Sequence, residues 1–229
     1  MTALESKTEK ALRLIREKDY AHAAQALDQA ISEEPDNPVG YTNFGNLLIA
    51  AGQPERAPAF FKKALSLNPA FASASFGYGN ALFEVKKYKD ALARFEQARE
   101  NGLNEGDVFY MIGRCALQLG HPGQGLAAFQ RAVELNGSDT EARFQYGLLL
   151  AQFGRLDAAE KQFLRVISEN QQHADAFYNL GVIAMYRDKN GDAENCFSKA
   201  LTLNPRHMLA AHGLERLKKI GEPDPHGKE

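Results

Sequence analysis

The sequence predicts an all-α array of helix hairpins, and three observations carry that prediction. Similar segments return at one fixed spacing along the chain. Within each return, small residues recur opposite one large apolar residue. Gly and Pro fall at matching joints between them.

The period comes first, because a fixed repeat overrides any piecemeal assignment of helix or strand. Segments 41–48 (YTNFGNLL), 109–116 (FYMIGRCA) and 177–184 (FYNLGVIA) are evenly spaced, and 75–82 (SFGYGNAL) and 143–150 (RFQYGLLL) lie midway between them. The step from one segment to the next defines the repeat. Six repeats of equal length occupy 4–37, 38–71, 72–105, 106–139, 140–173 and 174–207 without insertion or deletion.

Within a repeat some positions hardly vary. The eighth is Ala11, Gly45, Gly79, Gly113, Gly147 or Gly181, a site where two helix backbones approach too closely for a side chain. The twenty-fourth is Leu27, Phe61, Phe95, Phe129, Phe163 or Phe197, a large plug opposite that gap. Positions 20 and 27 are Ala in every repeat but one each, Gly125 and Val166 standing there instead. Small residues facing large ones at helical spacing describe two antiparallel helices in close contact, with the next pair stacked on them.

The punctuation agrees. Gly52, Gly120 and Gly154 share position 15, where a residue of positive φ ends the first helix. Pro54 and Pro122 follow at or just before the second helix, where a missing N–H costs nothing. Pro35, Pro69 and Pro205 end three repeats, and Asn136-Gly137 supplies a turn at the equivalent place in the fourth. After the last repeat, 208–220 (MLAAHGLERLKKI) continues the first-helix pattern without a second helix and reads as a cap. Residues 221–229, with two Pro, two Gly and no apolar anchor, read as a flexible tail.

Composition narrows the function. Twenty-seven basic and 29 acidic side chains give a formal charge of -2, without the clustered Lys and Arg that phosphate backbones or anionic lipid require. Nucleic acid and membrane are therefore not expected partners. No run approaches the roughly 20 apolar residues of a membrane span, and 1–15 interleaves charges with apolar residues, unlike a signal peptide. Two Cys point to a reducing compartment, with the cytoplasm as the expected location.

The repeated pattern of aromatic or Leu, then Leu-Gly, Tyr or Leu, Ala, Phe, Ala and Pro, at this repeat length, resembles the tetratricopeptide repeat (TPR) family across most of the chain. The stretches DVFYMIG, SDTEARFQYG and HADAFYNLGV further resemble a small bacterial protein built only of such repeats. The resemblance implies a right-handed superhelix (an α-solenoid) of six helix-turn-helix repeats plus a C-terminal capping helix, with the first helices lining a concave groove. It also implies a scaffold or adaptor that binds an extended segment of a partner protein. Lys7 and Lys10 replace apolar residues in the first repeat, as suits a terminal repeat facing water.

At about 100° per residue, positions 4, 7, 8 and 11 of each first helix point into the core and positions 2, 5, 9 and 12 point away. Position 5 reads Thr8, Thr42, Phe76, Tyr110, Phe144, Tyr178 and, in the cap, His212. Position 9 reads Leu12, Asn46, Asn80, Arg114, Leu148 and Val182; position 6 adds Asn43, Met111, Gln145 and Asn179; position 2 adds Asp107, Glu141 and Asp175. The candidate groove residues are Asn43, Asn46, Phe76, Asn80, Tyr110, Arg114, Phe144, Gln145, Tyr178 and Asn179. An amide side chain satisfies both the C=O and the N–H of an extended chain, and aromatic rings bury area at little entropic cost.

Competing structural roles are visible for several of them. Position 4 is Ser75 or Arg143 in the two repeats with Phe at position 5, so Phe76 and Phe144 can stand in for a missing core aromatic. Asn46 and Asn80 can tie neighbouring repeats together. The carboxylate-clamp members of the family have Lys at position 5 and Asn at 9 in one repeat, Asn at 6 in the next, and Lys at 2 with Arg at 6 in the third; here position 5 never holds Lys and position 2 reads Glu, Val, Ser, Asp, Glu, Asp, so recognition of acidic chaperone C-termini is not implied. The acidic position 2 favours a ligand with some Lys or Arg.

No catalytic, metal or cofactor site is expected. His173 and His207 share position 34 of neighbouring repeats, about 10 Å apart by repeat stacking, too far to hold one metal. Cys115 and Cys196 lie two repeats apart and read as small buried thiols. Gly77-Tyr78-Gly79 lies within a helix with no preceding strand, and 120–125 (GHPGQG) is an interhelical turn, so neither cradles phosphate. A peptide-binding module, not an enzyme, is the expectation, with weak self-association through repeat edges or the tail as the alternative.

Overall fold

A computed structural model describes residues 6–221 of the chain. Thirteen α-helices and no strand are found among the described residues. The odd-numbered helices are α1 (Lys7–Arg16), α3 (Pro38–Ala50), α5 (Ala72–Glu84), α7 (Gly106–Gln118), α9 (Thr140–Gln152), α11 (Ala174–Tyr186) and α13 (Met208–Gly221). Between them run α2 (Tyr20–Glu33), α4 (Ala57–Leu67), α6 (Tyr88–Glu100), α8 (Pro122–Leu135), α10 (Leu156–Glu169) and α12 (Asn190–Leu203). The chain divides into two compact units, Met1–Ala128 (unit 1) and Phe129–Glu229 (unit 2). The tail expected beyond α13 lies outside the described residues.

The sequence sets where each odd helix starts and stops. Ser6 and Glu9 form a reciprocal capping box on α1, Asn37 caps α3 through the Val39 N–H at 3.0 Å, and Asp139 accepts from the Glu141 and Ala142 N–H groups on α9. His173 and His207 do the same work with a ring nitrogen: each Nδ1 accepts a backbone N–H at 3.2 Å, from Ala176 and Ala210. At the other end, six odd helices close with a bond from the second residue past the cap back to a carbonyl five residues earlier, such as Gln53 N–H to Leu48 O at 2.8 Å.

The residue inside that closing loop has positive φ at Gly52, Gly120 and Gly154, as the glycines predict. It does so equally at Lys18, Lys86 and Asp188, with φ of 62°, 61° and 56°. All six share position 15 of the repeat. The geometry is imposed by the hairpin, and half of the repeats meet it with a side chain that strains the backbone.

One helix start departs from the expectation. The sequence places Pro54 at or next to the start of the second helix, but α4 begins only at Ala57. Pro58, the second residue of α4, has no N–H to donate to the carbonyl at position 54, so the first turn cannot close there. The stretch before it is held instead by Arg56 N–H to Gln53 O at 3.1 Å.

The core of four of the hairpins is a ring laid on a glycine. Phe61, Phe95, Phe163 and Phe197 have no exposed surface, and a Cβ added at Gly45, Gly79, Gly147 or Gly181 would meet the facing ring at 2.6, 2.5, 2.8 and 2.6 Å. The glycine therefore makes room for an aromatic ring, where the sequence suggested contact between two backbones. At two places the following odd helix supplies a second glycine: Gly77 lies against Phe61, and Gly213 against Phe197. Each of those rings is gripped from both sides.

Candidate functional site

In unit 1 the outward stripe of α3, α5 and α7 starts from that packing. Because Gly77 has no side chain, the Asn46 carboxamide lies along α5, where a Cβ on Gly77 would stand 2.8 Å from its Oδ1. Asn46 is exposed, and Asn43 and Asn80 are half-buried. Asn46, Ser73, Phe76, Gly77 and Asn80 border a cleft of about 430 Å³ whose far wall is Leu103, Glu105, Asp107 and Val108. Phe76 forms part of its floor, half-buried, its ring centroid 5.5 Å from that of Phe95.

Farther along α7, Tyr110 is half-buried beside Arg114. The Arg114 guanidinium carbon lies 4.4 Å from the Phe83 ring centroid and 5.6 Å from that of Tyr110, with Nη1 3.8 Å from Met111 Sδ. Cation–π contact thus holds the guanidinium against two rings. Among the described residues no carboxylate pairs with it, and Asn43, Asn46, Asn80, Glu105 and Asp107 likewise make no side-chain hydrogen bond.

Unit 2 arranges the same positions differently. Phe144 is buried, at 8% exposure, its ring 5.7 Å from Phe163 and 4.5 Å from the His173 imidazole. It belongs to the core and does not offer a binding surface. The physical reason is at position 4: Arg143 runs to the Gly137 carbonyl and to Gln162 Oε1 (3.1 Å), with Nε 3.9 Å from Glu169 Oε2, so the neighbouring Phe fills the aromatic slot. Tyr178 stays half-buried, 5.8 Å from Phe197 and 5.0 Å from His207. Phe144 and Tyr178 make no ring contact with each other.

The polar groups of unit 2 are paired internally. Gln145 donates to Glu141 at 2.8 Å, and Asn179 donates to the Asp175 backbone carbonyl at 2.7 Å. His207, 7% exposed, turns Nε2 to 3.0 Å from Asp175 Oδ1, although out of line for a hydrogen bond. A second cleft, of about 360 Å³, lies between Ala151, Gln152, Leu156, Val182, Ile183 and the exposed Tyr186.

Two further placements differ from the stripe. Thr42 is buried at 3% and donates its hydroxyl to the Pro38 carbonyl at 2.9 Å, a back-bond within α3. Conversely, sequence reasoning passed over Glu105 and Phe83, since Glu105 precedes its helix and Phe83 falls at position 12, the stripe's C-terminal end.

The thiols carry no sign of reactivity. Both Cys are free; burial pushes the Cys115 thiol up to about 12, and burial, then Asp192, raises that of half-buried Cys196. Among the described residues no three of His, Cys, Asp and Glu converge to hold a metal ion, and no helix is long and apolar enough to cross a membrane.

Three tetratricopeptide repeat models match the chain, over 14–60 and 48–115, over 110–174 and 150–189, and over 174–207. The crystal structure of YrrB, a TPR protein described as having an unusual peptide-binding site, is 44% identical, with 84% of this chain and 99% of YrrB covered at a TM-score of 0.75. The chain belongs to the tetratricopeptide repeat family. PilF of Pseudomonas aeruginosa, 19% identical, shares the fold over 92% of this chain and 96% of its own at a TM-score of 0.83. The STIP1 homolog of Dictyostelium discoideum is 34% identical over 86 residues, which are 38% of this chain. The chain spans only 14% of that relative's length. TPR proteins are protein-interaction adaptors, and that general role applies here.

Proposed function

We propose that this TPR chain binds an extended segment of a partner protein along the face of α3, α5 and α7, with Asn43, Asn46, Phe76, Asn80, Tyr110 and Arg114 as contacts. One observation carries the reading: the amides of Asn46 and Asn80 border a cleft that Phe76 also lines, and have no hydrogen-bond partner among the described residues. Each can exchange two hydrogen bonds with a passing peptide unit, and the ring buries apolar area beneath it. The likeness to YrrB, with its peptide-binding site, supports the same reading. Gln145 and Asn179 of unit 2 are secondary contacts, because Glu141 and the Asp175 carbonyl already occupy them, and so is Tyr178, whose ring packs on Phe197 and His207.

The test is fluorescence anisotropy with a dye-labelled peptide selected on the protein from a random library. Asn46→Ala with Asn80→Ala is expected to weaken binding tenfold or more, while the melting temperature moves little. Gln145→Ala with Asn179→Ala is expected to change it less than twofold. Equal effects from both pairs, or none from the first, remove unit 1 as the binding face.

A further inference from the structure

Among the described residues, three charged groups on the outward face of unit 1 have no counter-ion. Glu105 and Asp107 stand at the start of α7, exposed, forming the wall of the cleft opposite Phe76 and Asn80. Two helical turns on, Arg114 is pressed against Phe83 and Tyr110. A guanidinium held against a ring is positioned before any ligand arrives, and its N–H groups still offer donors that match a carboxylate. Little rotamer entropy remains to be lost when the anion docks.

The spacing has a chemical meaning. At about 1.5 Å per residue, Asp107 and Arg114 are separated by about 10 Å along α7. An extended peptide covers that span in about three residues. Asp107 also lies in the first turn of α7, where its charge favours the helix dipole. That local role leaves its carboxylate facing the cleft with no cation. Of the equivalent acids of unit 2, Glu141 accepts a hydrogen bond from Gln145, and Asp175 lies 3.0 Å from His207 Nε2.

We propose that this face selects peptides carrying a basic side chain and a carboxylate three residues apart, the base against Glu105 and Asp107 and the carboxylate on Arg114. The proposal rests on the binding reading given above and adds the ligand's charge pattern to it. The amides hold the backbone of any extended chain; the charges fix its register and direction.

Four dye-labelled decapeptide pools provide the test, with positions 4 and 7 set as Lys and Glu, Glu and Lys, Lys and Lys, or Glu and Glu, and the other positions randomised over Ala, Ser, Thr, Leu and Tyr. One of the two mixed pools is expected to bind at least fivefold tighter than either like-charged pool at 50 mM salt. That margin shrinks at 500 mM salt, because exposed ion pairs are screened. Arg114→Glu is expected to move the preference to the Lys-Lys pool, and Glu105→Lys with Asp107→Lys to the Glu-Glu pool. Arg114→Gln, which removes the charge with little change in helix propensity, removes the margin over the Lys-Lys pool and serves if Arg114→Glu loses helicity by circular dichroism. A flat ranking, or one that the charge variants leave unaltered, overturns the proposal. If Asn46→Ala with Asn80→Ala still weakens every pool in that case, the binding face stands and only its charge code falls. If no pool binds, both fall.

Discussion

Position 9 of the repeat is Leu12, Asn46, Asn80 and Arg114 in unit 1, polar from the second repeat on, and Leu148 and Val182 in unit 2. Among the described residues the amides of the first set have no hydrogen-bond partner; around the second, Gln145 donates to Glu141, Asn179 donates to the Asp175 backbone carbonyl, and His207 stands 3.0 Å from the Asp175 carboxylate. The two units share one hairpin design and one core of rings on glycines. What separates them is whether the outward stripe has been satisfied from within. A polar group already paired must give up that bond before it can serve a ligand, so it contributes little net affinity. The ligand-competent face is therefore the one that looks less finished.

The sharpest way to break that contrast is at position 4. Arg143→Ala strips partners from the Gly137 carbonyl, Gln162 and the part-buried Glu169 at once, and is expected to lower the unfolding free energy by about 2–4 kcal/mol. Urea denaturation measures it. A loss below about 1 kcal/mol means that the internal network of unit 2 is not what holds its stripe.

At the same repeat position in unit 1, Ser75 is fully buried and its hydroxyl has no partner. Ser75→Ala removes that orphan group and is expected to raise stability by about 1 kcal/mol, opposite in sign to the change at Arg143. A fall in stability means that an ordered water already satisfies Ser75.

The smallest effects test what the units have in common. Lys86→Gly in unit 1 and Asp188→Gly in unit 2 relieve the same positive φ, and each is expected to add about 0.5–1 kcal/mol in thermal melts. Unequal gains locate a compensating contact in one unit.

Much of this was legible in the sequence. The glycines at 45, 79, 147 and 181 and the phenylalanines at 61, 95, 163 and 197 announce a small-against-large pairing, and the starts of α3 and α9 carry their Asn37 and Asp139 caps in plain view. The direction of the stripe was also readable, since helical geometry fixes angles. Depth was not. Thr42 and Phe144 share an angle with Phe76 and Tyr110 yet are buried, because depth depends on what neighbouring positions supply: an Arg that vacates an aromatic slot, or a His that covers a ring. Pairing was hidden for the same reason, as nothing in the letters distinguishes the engaged Gln145 from the free Asn80. The strained backbone at Lys18, Lys86 and Asp188 was visible only as the absence of glycine from a column where other repeats have it.

Phe61 and Phe197, each held between a glycine of its own hairpin and one from the next, give the chain a rule for change. One whole hairpin block can be duplicated or excised at these seams without redesign, provided the incoming neighbour brings an equally slender residue to the joint. The protein can thus lengthen or shorten by whole modules over evolutionary time, while the selectivity written on any one module travels with it intact.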